Sequence, residues 1–287
     1  MSTGLPSRRS SWLKATALAI FVLLLTAGSL SIYVVERSEG QKEITLGDQN
    51  SPDRLDVSVF VQKTDAILQE IAAQVEIAPQ GALADENGTP RKDITLYTNA
   101  IKGDVLSFKA GKNPSVSDLR VALNSGVITD YPFDSYKVDF GFGAEVDGQA
   151  VPLNISIVNA DSFFRLELAE ETTEGGALFF TASADRSTGT FAFALFIMVF
   201  MWFLSLAAVI AAWYAVKGRH GLLWPSMSFM GALLFALVPL RNAVPGTPPV
   251  GSVVDFGSFF IAEALISMSL ITTVVVGYKV ERTKAVA

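Results

Sequence analysis

The sequence predicts a membrane α plus all-β protein, with four transmembrane helices and an antiparallel β-sandwich-like domain placed between the first and the second. Three observations lead there. Residues 13–35, 188–216, 222–240 and 253–278 are predominantly apolar, and about 20 such residues let an α-helix cross roughly 30 Å of hydrocarbon. Residues 55–183 instead alternate apolar and polar positions in short runs broken by turn residues, as half-buried strands do. Charge divides along the same lines: residues 36–187 hold 25 acidic and 13 basic side chains, a net −12, and the rest of the chain is net +6.

These numbers also bound the function. An acidic domain of this kind repels nucleic acid. The chain has no cysteine, so disulfides and thiolate chemistry are excluded and a domain of about 150 residues must rely on core packing, for which it is large enough.

The N-terminal segment 1–12 carries Arg8 and Arg9, and helix 13–35 is followed by Glu36, Glu39 and Glu43. Positive flanks stay in the cytoplasm, so this helix is expected to run outward. A competing reading is a cleaved signal, for which Ser7-Arg8-Arg9 would serve. The apolar run of about 23 residues exceeds the 7 to 15 of a signal core and favours an uncleaved anchor.

The extracytoplasmic domain is assigned to 36–187. In Asp56-Val57-Ser58-Val59-Phe60-Val61 the odd positions are apolar, and in Tyr136-Lys137-Val138-Asp139-Phe140-Gly141-Phe142 the even ones are. Further strands are expected at 73–77, 94–98, 105–109, 119–123, 153–158, 163–168 and 178–182, separated by turn signals such as Asn87-Gly88, Asp147-Gly148 and Gly175-Gly176. Residues 65–78 would also suit a helix. The domain has no histidine, which excludes the Ser-His-Asp arrangement there. Its carboxylates read as a solvated acidic surface, without the ligand spacing of a calcium loop. No catalytic residue, metal site or cofactor is expected.

Tyr131-Pro132-Phe133-Asp134 is the most distinctive string in this domain. Proline fixes its own φ and pushes Tyr131 into extended geometry, and Asp134 is suited to closing a turn. One reading is a corner before a strand; the other is a docking knob that sets Phe133 on the membrane helices. The string is similar to the Pro-Phe-Asp corner of pentameric ligand-gated channels. Those channels carry four helices after their sandwich, where this chain has three after and one before.

Helices 188–216, 222–240 and 253–278 complete the layout. Lys217, Arg219 and His220 mark loop 217–221, and Lys279, Arg282 and Lys284 mark tail 279–287. Both are expected in the cytoplasm. Segment 241–252, with Pro245, Pro248, Pro249, Gly246 and Gly251, is too restricted for helix and reads as a rigid outer cap. Arg241 and Asp255 flank it as a candidate ion pair. Glu263 lies about ten residues into the last helix, roughly 15 Å along it, and shares a four-residue spacing with Asp255 and Phe259. An intramembrane acid serves either an ion or proton path or helix packing, with Ser205, Ser226 or Ser228 as partners.

Taken together, Tyr131-Pro132-Phe133-Asp134, Leu240-Arg241-Asn242, the string Pro245-Gly246-Thr247-Pro248-Pro249-Val250-Gly251, Asp255 and Glu263 resemble a family of bacterial membrane proteins, the domain of unknown function 4436. The resemblance implies the same layout of one helix, an external domain and three helices. It implies no reaction.

The expected function is that of a non-enzymatic plasma-membrane protein, an accessory or interaction subunit of a cell-envelope assembly. Its partners would be the lipid bilayer, other membrane proteins and further copies of itself. The alternative is a transporter or channel component using Glu263 and the Arg241/Asp255 cap, and a membrane enzyme is a remote third reading.

Overall fold

The computed structural model describes residues 8–39 and 42–286. Residues 1–7 of the expected basic N-terminus, residues 40 and 41, and residue 287 of the expected tail lie outside the described residues. Helix α1 (Arg8–Glu39) precedes a large, mostly β domain, and α2 (Thr188–Lys217), α3 (Trp224–Asn242) and α4 (Phe260–Val286) follow it. Each of the four contains a stretch long and apolar enough to cross a membrane. A π-helical turn at Asp255–Phe259 leads into α4.

The strands are β1 (Glu43–Gly47), β2 (Leu55–Asp65), β3 (Glu70–Pro79), β4 (Ile94–Thr98), β5 (Val105–Phe108), β6 (Ser117–Ser125), β7 (Ser135–Val146), β8 (Gln149–Ala150), β9 (Leu153–Asn159), β10 (Phe164–Glu174) and β11 (Ala177–Arg186). Every expected strand is present. Two more, β1 and β8, lie outside the expected segments.

The ambiguous segment 65–78 resolves as turn and strand. Asp65 Oδ1 accepts the backbone N–H of Ile67 and Leu68, and Gln69 takes a positive φ of 56°, which breaks a helix before it starts. Burial raises the Asp65 pKa, but Lys63 and these two N–H donors outweigh it and hold the carboxyl below its ordinary value.

The strands do not divide into two independent sheets. They form one hydrogen-bonded path in the order β1-β9-β2-β3-β6-β7-β11-β10, with β4 and β8 joining at β7 and β5 at β4. All neighbours are antiparallel except β2 and β9, which run parallel. That pair corrects the purely antiparallel expectation, which the alternation of side chains cannot test, because period two is common to both kinds of ladder. A register shift between Leu123 and Ser125, where β6 meets β7, lets the sheet bend as bulges do. The sheet curls until its two ends meet, and Gly47 of β1 donates its N–H to Glu171 of β10 at 3.2 Å. The result is close to a barrel.

The core lies inside this curl. Leu55, Val57, Val59 and Val61 of β2, Ile71, Val75 and Ile77 of β3, and Val138, Phe140 and Phe142 of β7 all point inward. They occupy every second position of their strands. Phe140 stacks on Phe180 of β11 with ring centroids 5.0 Å apart. A separate cluster holds α2, α3 and α4 together through Ala194, Ile197, Met201, Leu237, Ala262 and Ile266, where small residues let the helices approach closely. Helix α1 stands apart, with no residue of its apolar stretch buried.

Replacing Phe140 by alanine should remove about 3–5 kcal/mol of stability, the usual loss for an aromatic truncated in a core. The outward-facing Phe60 of β2 should tolerate the same change within about 1 kcal/mol. Thermal unfolding of the two variants in one detergent would show the difference.

Candidate functional site

The strongest concentration of buried charge lies where the β domain meets the helices. Strand β11 ends at Arg186, and one residue later Ser187 caps α2, its Oγ accepting the Thr190 N–H and donating to the Ser162 carbonyl at 2.8 Å. Strand and helix are thereby joined without a slack linker. Glu36, at the end of α1, accepts the Gly189 N–H at 2.6 Å, a favourable place for a carboxylate at a helix N-terminus.

The turn that carries Tyr131 to Asp134 starts at Gly126, whose φ is 105°. A Cβ there would come within 2.3 Å of the Tyr136 ring, so glycine is required. From this turn Asp134 points inward and binds Arg186, with Nε at 3.0 Å from Oδ1 and Nη2 at 2.8 Å from Oδ2. Their side chains are 0% and 3% exposed. Tyr136 donates its hydroxyl to Asp134 at 2.8 Å. The Arg186 guanidinium also lies over the rings of Phe164, at 4.0 Å, and Tyr131, at 4.8 Å, within cation–π range.

Tyr131 is fully buried and packs in the helical cluster, alongside residues such as Ala194, Ile197 and Val254. It is the one residue of the β domain in that cluster. Its hydroxyl has no hydrogen-bond partner among the described residues. Burial pushes the Tyr131 phenol far above its ordinary pKa, and burial with the bond to Asp134 does the same for Tyr136. Both stay protonated at physiological pH. Phe133, the expected knob, meets Phe191 of α2 edge-on at 5.5 Å yet remains 59% exposed. The string therefore inserts its tyrosine, and its phenylalanine rests on the outside.

A second buried pair lies in the cap. Arg241 donates from Nε to Asp255 Oδ1 at 2.7 Å and from Nη2 to Oδ2 at 2.8 Å. Its remaining donors reach the carbonyls of Pro248 and Pro249, each at 3.0 Å. Asp255 also accepts the N–H groups of Gly251 and Ser252. The prolines thus place carbonyls where Arg241 can use them, and the cap closes around one guanidinium. The cap also touches the first pair: a Cβ on Gly246 would lie 2.8 Å from Nη1 of Arg186.

Glu263 does not join these groups. It is half-buried and makes no hydrogen bond or ion pair among the described residues. Ser205 donates to the Trp202 carbonyl, Ser226 has no partner among the described residues, and neither they nor Ser228 bond Glu263. The four-residue spacing fails to put the two acids in one environment because the π-helical turn at Asp255–Phe259 changes the angular step; Asp255 is fully buried beside Arg241.

Arg186 is the functional residue that the sequence reading missed. Its signal was available: a basic residue immediately before a long apolar helix needs an explanation. Among the described residues, no group of three or more His, Cys, Asp or Glu side chains is placed to hold a metal ion.

Residues 45–185 match the family model described as Domain of unknown function (DUF4436), and residues 186–280 match that described as Domain of unknown function (DUF8686). No curated protein matches the chain. The border between the two models falls at Arg186, so the Asp134–Arg186 pair ties one matched unit to the other. The β domain that residues 45–185 build thus matches the family of the domain of unknown function 4436, which the sequence resembles.

Proposed function

We propose that this is a non-enzymatic integral protein of the plasma membrane, crossing the bilayer four times with both termini in the cytoplasm. Its acidic, sandwich-like β domain lies outside and serves as the interaction module of an accessory subunit in a cell-envelope assembly. The junction carries this reading. The Tyr131 plug in the helical cluster, the Phe133–Phe191 contact and the seat of the cap against Arg186 fix the β domain against the helices, so a partner seated on the domain is held at a set angle and height above the bilayer.

The distribution of cations supports the orientation. Lys217 and Arg219 lie between α2 and α3, and Lys279, Arg282 and Lys284 lie near the end of α4. At the opposite ends of α2 and α3, Arg186 and Arg241 are both neutralised by buried carboxylates, so within these three helices the unpaired cations gather on one side.

A second reading, a transporter or channel component, is favoured by Glu263 alone, since an unpaired half-buried acid in an apolar helix is costly and commonly marks an ion path. Purified protein in liposomes should then support a flux that Glu263→Gln abolishes. An unchanged flux removes Glu263 from any mechanism.

Crosslinking in native membranes should attach a discrete protein to the β domain, and the complex should survive extraction in mild detergent. Recovery as a lone monomer in every mild detergent would count against the subunit reading. Protease added to intact spheroplasts should digest residues 36–187 and leave the tail untouched; the reverse pattern would invert the layout.

Either Asp134→Ala or Arg186→Ala should destabilise the junction by about 3–5 kcal/mol, because each leaves an uncompensated buried charge. The double change Asp134→Leu with Arg186→Met should recover at least half of that loss. Thermal unfolding in detergent, run as a double-mutant cycle, measures both.

A further inference from the structure

A groove of about 580 Å³ opens where the end of α1 meets β1, β9 and β10. Ile44, Ile157, Leu166 and Leu168 contribute apolar surface to its lining, and Arg37 and Lys42 contribute two exposed cations. The acids in the same lining are already engaged. Glu36 accepts the Gly189 N–H, Asp161 accepts the N–H groups of Thr64 and Phe163, and Glu167 pairs with Arg165 at 3.0 Å. The side chains of Arg37 and Lys42 have no hydrogen bond or ion pair among the described residues. The lining is balanced in formal charge, Glu36, Asp161 and Glu167 against Arg37, Lys42 and Arg165, and Arg37 with Lys42 are the two of these cations that hold no described partner, beside an apolar wall.

Its position narrows the occupant. The Glu36–Gly189 bond sets the groove at the level where α1 ends and α2 begins. Tyr33, also in the lining, is a residue type that favours the headgroup region. Below it, α1 stands away from the other helices, with no residue of its apolar stretch buried. If α1 and α2 cross the bilayer as proposed above, hydrocarbon chains occupy the flank of α1 directly under the groove. A free phosphate would leave the apolar wall unused, and a zwitterionic headgroup would bring its own ammonium against Arg37 and Lys42.

We propose that this groove binds one anionic phospholipid of the outer leaflet. Its phosphate lies between Arg37 and Lys42, and the upper part of an acyl chain lies against Ile44, Ile157, Leu166 and Leu168. The proposal rests on the membrane reading of α1 and α2. Charge attracts the headgroup and apolar contact holds the chain, the two contributions that together anchor a lipid-facing surface.

The test uses the full-length protein in detergent, titrated with phosphatidylglycerol or phosphatidylcholine and observed by native mass spectrometry. Phosphatidylglycerol should be retained preferentially, as one tightly held molecule per chain. Arg37→Ala with Lys42→Ala should weaken retention roughly tenfold or more, Arg37→Lys with Lys42→Arg should preserve it, and Lys92→Ala with Lys112→Ala, remote from the groove, should change nothing. Equal retention of the two lipids, no effect of Arg37→Ala with Lys42→Ala, or full displacement by millimolar inorganic phosphate would each overturn the proposal. In membranes, a phosphatidylglycerol with a photoactivatable acyl chain should label peptides containing Ile44, Leu166 or Leu168. Labelling confined to the four helices would refute the groove but leave the membrane reading intact, whereas no labelling of the helices would refute the membrane reading itself.

Discussion

A guanidinium taken out of water has to be matched by a carboxylate, and this chain does so twice within a short distance of the point where its strands give way to its helices. Isolated buried charge is very unfavourable, so each pair is a constraint on everything around it. Asp134 has to sit at the end of β11, which requires the tight turn at Gly126. Arg241 has to meet Asp255, which requires the prolines of the cap to present their carbonyls inward. Gly246 has to lack a side chain because Arg186 lies against it. Such pairs add little net stability over a well-packed apolar alternative. Their consequence here is geometric, since one pair fixes the end of β11 from which α2 starts and the other fixes the cap that rests on it.

Much of this architecture was legible in the sequence, for physical reasons that differ by element. The apolar stretches announce themselves by length alone, and β2 and β7 by an alternation that persists over many residues. Strand β3 shares its composition with helices until the Asp65 turn is recognised. The closure of the sheet was not legible, because pairing between β2 and β9 or contact between β1 and β10 joins residues about a hundred or more positions apart, and alternation says which face a residue takes but not its neighbour.

At the junction the sequence pointed to the right strings, and the long-range pairing of their parts came only with the fold. Arg241 and Asp255 were readable as a pair because both flank one rigid segment. Asp134 was readable as a turn former, yet its partner lies 52 residues away, at a position that looks like the last residue of an ordinary strand. Phe133 drew attention over Tyr131 because phenylalanine is the more apolar of the two. The structure buries the tyrosine instead, where its ring faces both the helical cluster and the Arg186 guanidinium, a combination of apolar body and electron-rich face suited to that place.

The contrast between the two ends of the β domain gives the arrangement its mechanical sense. At the end leading into α2, strand, cap and helix are locked by charge pairs and a buried ring. At the other end, α1 is tied mainly through Glu36 to the first turn of α2, and its apolar flank stays uncovered by protein. A domain clamped on one side and tethered on the other keeps its tilt while leaving a wedge beside α1 open. On the membrane reading only lipid or another protein can fill that wedge. The cations Arg37 and Lys42, without a partner among the described residues, stand at its mouth beside an apolar wall that a lipid can cover with one molecule carrying both a phosphate and a chain.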